Sequence, residues 1–238
     1  MHMLPQGESP SVDAKGGTKT DHRTISAWRA GQSVAALLAL MLAVVPAVLT
    51  TSLIFFSLGR PLLFRQVRSG LAGRPFTVVK FRTMYDLRDT DGQLLPDSRR
   101  ETRVTRSIRR LRLDEIPQLV AILNGDMSFV GPRPLQPDTV AAFGALGHVR
   151  SSVRPGLTGW AQVNGNTCLT DLEKLALDIW YVDHRSRSLD ARILLLTAAV
   201  MLRGERVREK ALRSAQTHLA MRSGRPVGDN GPAMRSTS

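Results

Sequence analysis

The chain has 238 residues, enough for one domain with a modest core plus tails. Its 33 Lys+Arg against 20 Asp+Glu give a formal charge of +13, which implies a polyanionic partner: nucleic acid, anionic lipid or a phosphorylated substrate. The single Cys168 excludes an internal disulfide and shows no metal-ligand spacing, and 5% aromatics with no RNA-binding aromatic motif or zinc-finger spacing argue against nucleic acid.

Residues 1–27 are polar and rich in Gly, Ser, Thr and Lys, the composition of a disordered tail. Residues 33–58, SVAALLALMLAVVPAVLTTSLIFFSL, carry no charge. A spanning helix needs about 20 apolar residues. The run is long for a signal-peptide core, and no persuasive cleavage site follows it. Pro46 lies in its middle, where it removes a hydrogen bond and predicts a kink. Arg23 and Arg29 precede the run; Arg60, Arg65 and Arg68 follow it. Basic residues at both ends give no preference for a simple crossing. A helix that enters, bends and returns leaves both ends on the cytoplasmic side. That shape fits the charges and the proline better than a span, and residues 28–60 are assigned to it.

Residues 62–67 and 76–82 read as strands, with Ser69-Gly70 and Ala72-Gly73 supplying the turn of a β-hairpin. Alternation places Phe76, Val78, Lys80 and Arg82 on one face. On spacing alone, Lys80 and Arg82 are either a solvated edge that discourages strand addition or a pair of anion contacts. Residues 86–101 form a charged, solvent-facing loop in which Asp89, Asp91 and Asp97 lack the spacing of a calcium loop. Arg103, Arg106, Arg109, Arg110 and Arg112 follow; on a membrane-bound protein most would face anionic headgroups.

Residues 113–134, LDEIPQLVAILNGDMSFVGPRP, carry the most chemistry. Leu113, Ile116, Leu119, Val120 and Leu123 fall at helical spacing. Asp114 and Glu115 stand at the start, Pro117 sits in the first turn, and Asn124-Gly125 supplies the stop. Gly131-Pro132-Arg133-Pro134 is a stiff loop that displays Arg133. Two readings stand here. Asp114 caps the helix and Glu115 favours its dipole, or the pair belongs to a phosphate-handling site. In the second, carboxylates attack phosphorus or hold a metal, and a guanidinium grips phosphate oxygens.

Residues 137–150 read as a helix, and the Pro/Gly loop from Arg154 to Trp160 ends in Gln162 and Asn164. A helix over 171–185 places Leu172, Leu175, Ile179 and Val182 on one face, with Asp178 and Tyr181 on or near the other. Asp190 is positioned to cap the next helix, 191–202, which is too short to span and packs on the core or lies on the bilayer. Residues 203–238 are basic, polar and mostly disordered by composition, with room for a turn or two of amphipathic helix. The fold class is α+β, mainly helical: a membrane helix-break-helix, then a small cytosolic domain over 61–202 with a short hairpin and interfacial helices.

LDEIPQL…NGDMSFVGPRP resembles the core motif of the bacterial sugar transferases, the monotopic polyprenyl-phosphate phosphoglycosyl transferases. So do FRQVRSGLAGRPFTVVKFRTM (64–84), VRPGLTGWAQVNG (153–165) and DIWYVDHRSRSLDARILLLT (178–197), in the same order over residues 30–200. The resemblance implies transfer of a sugar-1-phosphate from a nucleotide diphosphate sugar, usually a UDP-sugar, to polyprenyl phosphate. The products are polyprenyl-diphosphate-sugar and UMP, at the first membrane step of a surface polysaccharide or glycan. It makes Asp114 the nucleophile of an aspartyl-phosphosugar intermediate and Glu115 the ligand of Mg²⁺. Lys80, Arg82, Arg109 and Arg133 become phosphate contacts, and Gln118, Arg154, Gln162 and Asn164 a second tier of the substrate pocket. It implies the bacterial inner (cytoplasmic) membrane with the domain on the cytoplasmic face, anionic lipids as neighbours and no nucleic acid; a homo-oligomer is left open. The family usually has Ser before the break proline and Asp in the opening turn, where this chain has Val45 and Ser33, and its segment from Thr105 to Asp114 is short. The alternative is a non-catalytic, membrane-anchored basic protein that binds anionic lipid or polymer.

Overall fold

The long apolar run folds as one helix. The computed structural model describes residues 20–223, with side chains from residue 30 onward. Helix α1 (Thr20–Leu58) runs for 39 residues with Pro46 inside it. The expected break at Pro46 is therefore absent, and residues 20–27 belong to α1 and not to a disordered tail; residues 1–19 lie outside the described residues. A proline removes one donor from the helical ladder. Here the helix packs on the domain both before and after it. Ala36, Ala39, Leu40 and Ala43 pack against one part of the domain, and Ala47, Ile54 and Leu58 against another. These residues recur every three or four positions and form a stripe, mostly of small side chains at its N-terminal end. Much of the remaining apolar surface between residues 34 and 56 is uncovered, with Leu42 81% and Phe56 84% exposed. Residues 30–58 are long and apolar enough to cross a membrane.

Strands β1 (Leu63–Ser69) and β2 (Pro75–Phe81) form the expected antiparallel hairpin, with Phe64 opposite Lys80. Lys80 Nζ lies 5.2 Å from the centre of the Phe64 ring. Arg82, just past β2, is engaged by backbone. It donates to the carbonyls of Leu58 (2.7 Å), Gly59 (2.9 Å) and Pro61 (2.6 Å). A helix C-terminus leaves carbonyls without partners, and a cation satisfies both their hydrogen bonding and the dipole. Arg82 thus ties α1 to the hairpin. Arg82→Ala should cost about 2 kcal/mol in thermal unfolding and open residues 59–62 to proteolysis, while the KM for the sugar donor stays near wild type.

The charged loop is largely exposed, as expected, and contains the short α2 (Asp97–Arg100). Helix α3 (Arg103–Arg110) starts on a reciprocal cap between Thr102 and Thr105. The stretch expected to form one helix from Leu113 is split. Leu113–Gln118 is a 3₁₀ segment and Leu119–Asn124 is α4, closed by Gly125 at φ 82°. Pro117 lacks an N–H and crowds the carbonyl four residues back, which disfavours α winding over the first turn. The predicted 137–150 helix is also split, into α5 (Pro137–Ala142) and α6 (Ala145–Arg150), because Gly144 takes φ 54° between them.

A two-stranded parallel sheet was not expected: β3 (Ser128–Val130) pairs with β4 (Gly156–Thr158). Each strand is three residues long, too short for alternation to be legible. Helix α7 (Trp160–Val163) follows, then α8 (Asp171–His184), α9 (Arg187–Arg203) and α10 (Glu209–Arg222). Leu172, expected on the buried face of α8, is exposed, whereas Asp178 and Tyr181 are buried. Ser186, not Asp190, caps α9; Asp190 instead accepts a hydrogen bond from the Tyr181 hydroxyl at 2.7 Å. The C-terminal segment holds a full helix where only a turn or two was expected. Helix α10 buries Leu212 and Ala215 in the main core, beside residues of α7, α8, α9 and β3. Residues 224–238 lie outside the described residues. Two smaller cores fix the 3₁₀ segment in place: α1 against α4, and α1 against β2 and α3.

Candidate active site

Asp114 and Glu115 sit on the 3₁₀ segment, each 7% exposed. The capping reading fails, because the N-cap position is Arg112, in a left-handed conformation (φ 54°), and no side chain caps this turn. Two buried carboxylates in sequence need another explanation, since burial of an unpaired charge is costly.

Glu115 is paired. Arg133 Nη2 reaches one of its oxygens at 2.8 Å, and Arg112 Nη1 the other at 3.4 Å. Burial pushes the Glu115 carboxyl up, but Arg133 and Arg112 more than offset that and hold it below its ordinary range. Asp114 is different. Among the described residues its carboxylate has no hydrogen-bond or ion-pair partner. Burial, then the neighbouring Glu115, push its pKa up to about 6, while Lys80, Arg133 and Arg109 draw it down. Adjacent acids thus have environments that drive them apart, one firmly ionised and one poised near neutrality. That division is the mark of acids with separate chemical roles.

The cations come from four elements. Lys80 projects from β2; burial lowers its pKa, Asp114 and Glu115 support its charge, and Arg133 and Arg109 oppose it. Arg133 stands on the Gly-Pro-Arg-Pro loop, its charge favoured first by Glu115. The loop is fixed by backbone contacts: Gly131 N–H donates to Thr158 at 2.9 Å and Gly156 N–H to Pro132 at 3.0 Å. A Cβ on Gly131 would lie 2.4 Å from the Arg154 carbonyl, so only glycine permits this approach. Arg150 donates to the Arg133 carbonyl and to Asp178, which braces the same loop from below.

Sequence reasoning passed over Arg68 and Arg112 as site residues. Arg68, on β1, hydrogen-bonds Gln66 at 2.5 Å; burial, then repulsion from Arg133, lower its pKa. Both residues looked like membrane-facing charges among many arginines, and no spacing rule distinguishes them. Of the residues named from sequence, Asp114, Glu115, Lys80 and Arg133 come together. Arg109 stands at the margin: it pairs with Asp97 and Glu101, each at 3.4 Å, yet its charge is felt by Asp114. Arg82 is engaged elsewhere, as described. Gln118 is buried on the same turn as the acids. Arg154 donates to the Gly125 carbonyl (2.8 Å), Gln162 to Leu157 (3.2 Å) and Asn164 to Trp160 (2.7 Å), so these three side chains hold backbone.

Among the described residues there is no cluster of three or more metal-ligating side chains. A hard dication that completes its shell with water and phosphate oxygens needs only one or two carboxylates, and the acid pair meets that requirement.

The family model described as bacterial sugar transferase matches residues 24–204. An uncharacterised sugar transferase of Bacillus subtilis (strain 168), EpsL, is 47% identical over 160 residues, which cover 67% of this chain and 79% of that one. The UDP-glucose:undecaprenyl-phosphate glucose-1-phosphate transferase of Xanthomonas campestris is 35% identical over 209 residues, 82% of this chain and 43% of the relative. The Escherichia coli (strain K12) protein of the same name is 40% identical over 147 residues, 58% of this chain and 32% of its own. The present chain therefore spans less than half the length of the latter two. The matched stretch begins inside α1, ends at the close of α9, and contains both acids and every cation described around them; the chain belongs to the bacterial sugar transferase family.

Proposed function

We propose that this protein transfers a sugar-1-phosphate from a UDP-sugar to polyprenyl phosphate and releases UMP. The observation that carries the proposal is the unpartnered, buried carboxylate of Asp114, raised to about pKa 6 beside a Glu115 clamped by two guanidiniums. A non-catalytic basic anchor would have no use for such an arrangement. At neutral pH most Asp114 is ionised yet poorly stabilised, which makes it a ready nucleophile. In the first step an Asp114 oxygen bonds to the sugar-bearing phosphorus, the diphosphate P–O bond breaks, and UMP leaves with the electron pair. In the second, the polyprenyl phosphate oxygen attacks the same phosphorus and Asp114 departs as carboxylate. Splitting one displacement into two in this way is the benefit of covalent catalysis.

Lys80, Arg133 and Arg68 would take the phosphate oxygens, offsetting the charge that repels an anionic nucleophile. Glu115 is the residue that would hold Mg²⁺, which supplies further charge neutralisation on the diphosphate. Since both Glu115 oxygens already face cations, a bound metal would have to share the carboxylate with arginine. Glu115→Gln should therefore shift the Mg²⁺ dependence of turnover to higher concentration; an unaltered titration curve removes the metal role. A panel of UDP-sugars scored by UMP release with polyprenyl phosphate tests the reaction and names the sugar.

The anchor is proposed not to cross the bilayer. Ala36 and Leu58 both pack on the catalytic domain. They are 22 residues apart on one helix, about 33 Å of rise. A perpendicular crossing of that length would draw the acid pair into hydrocarbon, whereas a shallow path along the membrane surface keeps it at the cytoplasmic face, where a lipid-borne phosphate meets a soluble donor. Both chain ends should then react with impermeant thiol reagents, through introduced cysteines, from the cytoplasmic side alone.

A further inference from the structure

Phe64 is 40% exposed, although it lies on the side of the hairpin that carries the site cations. Along β1, alternation sends Phe64, Gln66 and Arg68 to one face, and antiparallel pairing sets Lys80, Val78 and Phe76 opposite them on that same face. Lys80 and Arg68 belong to the candidate site: Asp114 supports the charge on the first, and the second feels Arg133. The Lys80 ammonium stands over the Phe64 ring at 5.2 Å, a cation–π contact that steadies it. Single exposed apolar residues are ordinary on a protein surface. This one differs in its position. Phe64 follows soon after α1 ends at Leu58, and Arg82, just beyond Lys80, donates to the carbonyls of Leu58 and Gly59. Phe55 and Phe56, in the last turn of α1, are also exposed. Uncovered aromatic rings therefore stand on the last turn of the apolar helix and beside the site ammonium, on two segments that Arg82 ties together.

The two substrates of the proposed reaction differ in what surrounds their phosphates. A UDP-sugar flanks them with hydroxyl groups and a polar base. In polyprenyl phosphate an oxygen of the phosphate is joined directly to the first isoprene unit, so a phosphate held at Lys80 brings hydrocarbon within reach of whatever flanks the ammonium. We propose that Phe64 is the acceptor-specific contact of the site: its ring packs on the first isoprene unit of polyprenyl phosphate while Lys80 holds the phosphate. The inference rests on the transfer reading above and deepens it, by separating a contact of the acceptor from those of the donor. Cations alone do not tell one phosphate from another. Apolar surface removed from water against the ring is gained by the lipid and not by the donor, so Phe64 supplies the distinction.

The test uses the full chain in nanodiscs with two acceptors: polyprenyl phosphate, and dimethylallyl phosphate, which is a single isoprene unit on a phosphate and needs no bilayer. In a two-step displacement kcat/KM for the donor reports the first step and kcat/KM for the acceptor the second, so the halves are read separately. Phe64 is exposed, and its truncation should spare the fold. Phe64→Ala should lower kcat/KM for both acceptors about tenfold, equivalent to about 1.4 kcal/mol, with the value for the UDP-sugar near wild type. Phe64→Leu, apolar but without the ring, should recover most of the loss. An equal fall for donor and acceptor overturns the proposal, because the ring then serves only to orient Lys80. A loss confined to polyprenyl phosphate overturns it too, since a ring that merely sits in the bilayer does not affect a soluble acceptor. Calorimetry separates the contact from the chemistry. Dimethylallyl phosphate should bind wild type more tightly than methyl phosphate does, and Phe64→Ala should remove the difference. That result in a protein that transfers no sugar-phosphate sustains the contact and overturns the catalytic reading instead; efficient transfer without that difference sustains the reading and overturns the contact.

Discussion

Asp114→Asn should abolish UMP release, by on the order of 10³-fold or more, and should leave the protein at least as stable as wild type. The second half of this expectation makes the first informative. Asparagine keeps the shape of the side chain and removes only the charge and the nucleophile. The wild-type carboxyl keeps its proton up to about pH 6, whereas an unfolded aspartate loses it near 3.8. Between those values the folded state binds more protons than the unfolded one, so the contribution of this group to stability falls as pH rises and reaches its minimum above about 6. At neutral pH the ionised Asp114 therefore costs the fold about 2–3 kcal/mol, strain that asparagine relieves. Differential scanning measurements at pH 8 should show the variant melting higher than wild type, with the gap closing towards pH 4. The same group governs rate. The kcat/KM for the donor should rise with pH up to about 6 and then level off, because only the carboxylate attacks. A variant that retains transfer, or a rate profile without that limb, removes Asp114 from the chemistry.

How much of this was legible beforehand divides along a physical line. The hairpin, the apolar helix, the αL stop at Gly125 and the acid pair all rest on local signals: alternation, a long apolar run, turn residues, adjacent carboxylates. Each appeared where expected, because local geometry and tertiary packing agree there. The failures were decided by contacts between distant segments. Pro46 was read as a break, but α1 is braced on both sides of it by α4 and by β2 with α3. Arg82 shares a strand face with Lys80 in the alternation, yet the C-terminus of α1 captures its guanidinium from 23 to 24 residues away. The parallel pairing of β3 with β4 has no local signature and shows only as close contacts among Gly131, Gly156 and Gly159. Arg112 was visible as a residue and invisible as a partner of Glu115, and Arg68 invisible as a neighbour of Arg133, because sequence gives charge without position.

Arg150 shows how far such hidden contacts reach, and its removal should be the most damaging single change to the fold. Its side chain and that of Asp178 are each 4% exposed, and they meet at 2.8 Å between α6 and α8. The same guanidinium holds the carbonyl of Arg133. Burial keeps the Asp178 carboxyl above its ordinary pKa even with Arg150 beside it. Arg150→Met fills most of the volume but leaves a carboxylate buried without a partner. It should lower stability by about 3–5 kcal/mol, and the protonated Asp178 should recover part of that loss in mild acid. Replacing both partners, Arg150→Met with Asp178→Leu, removes the stranded charge and should restore most of the stability. Activity should not return with it. The double variant still lacks the donor that fixes the Arg133 carbonyl, so the phosphate grip stays loose, with a raised KM for the UDP-sugar in a protein of near-normal melting temperature. If stability and transfer recover together, Arg150 serves only the core; if only stability recovers, the ion pair and the loop brace are separate functions of one side chain.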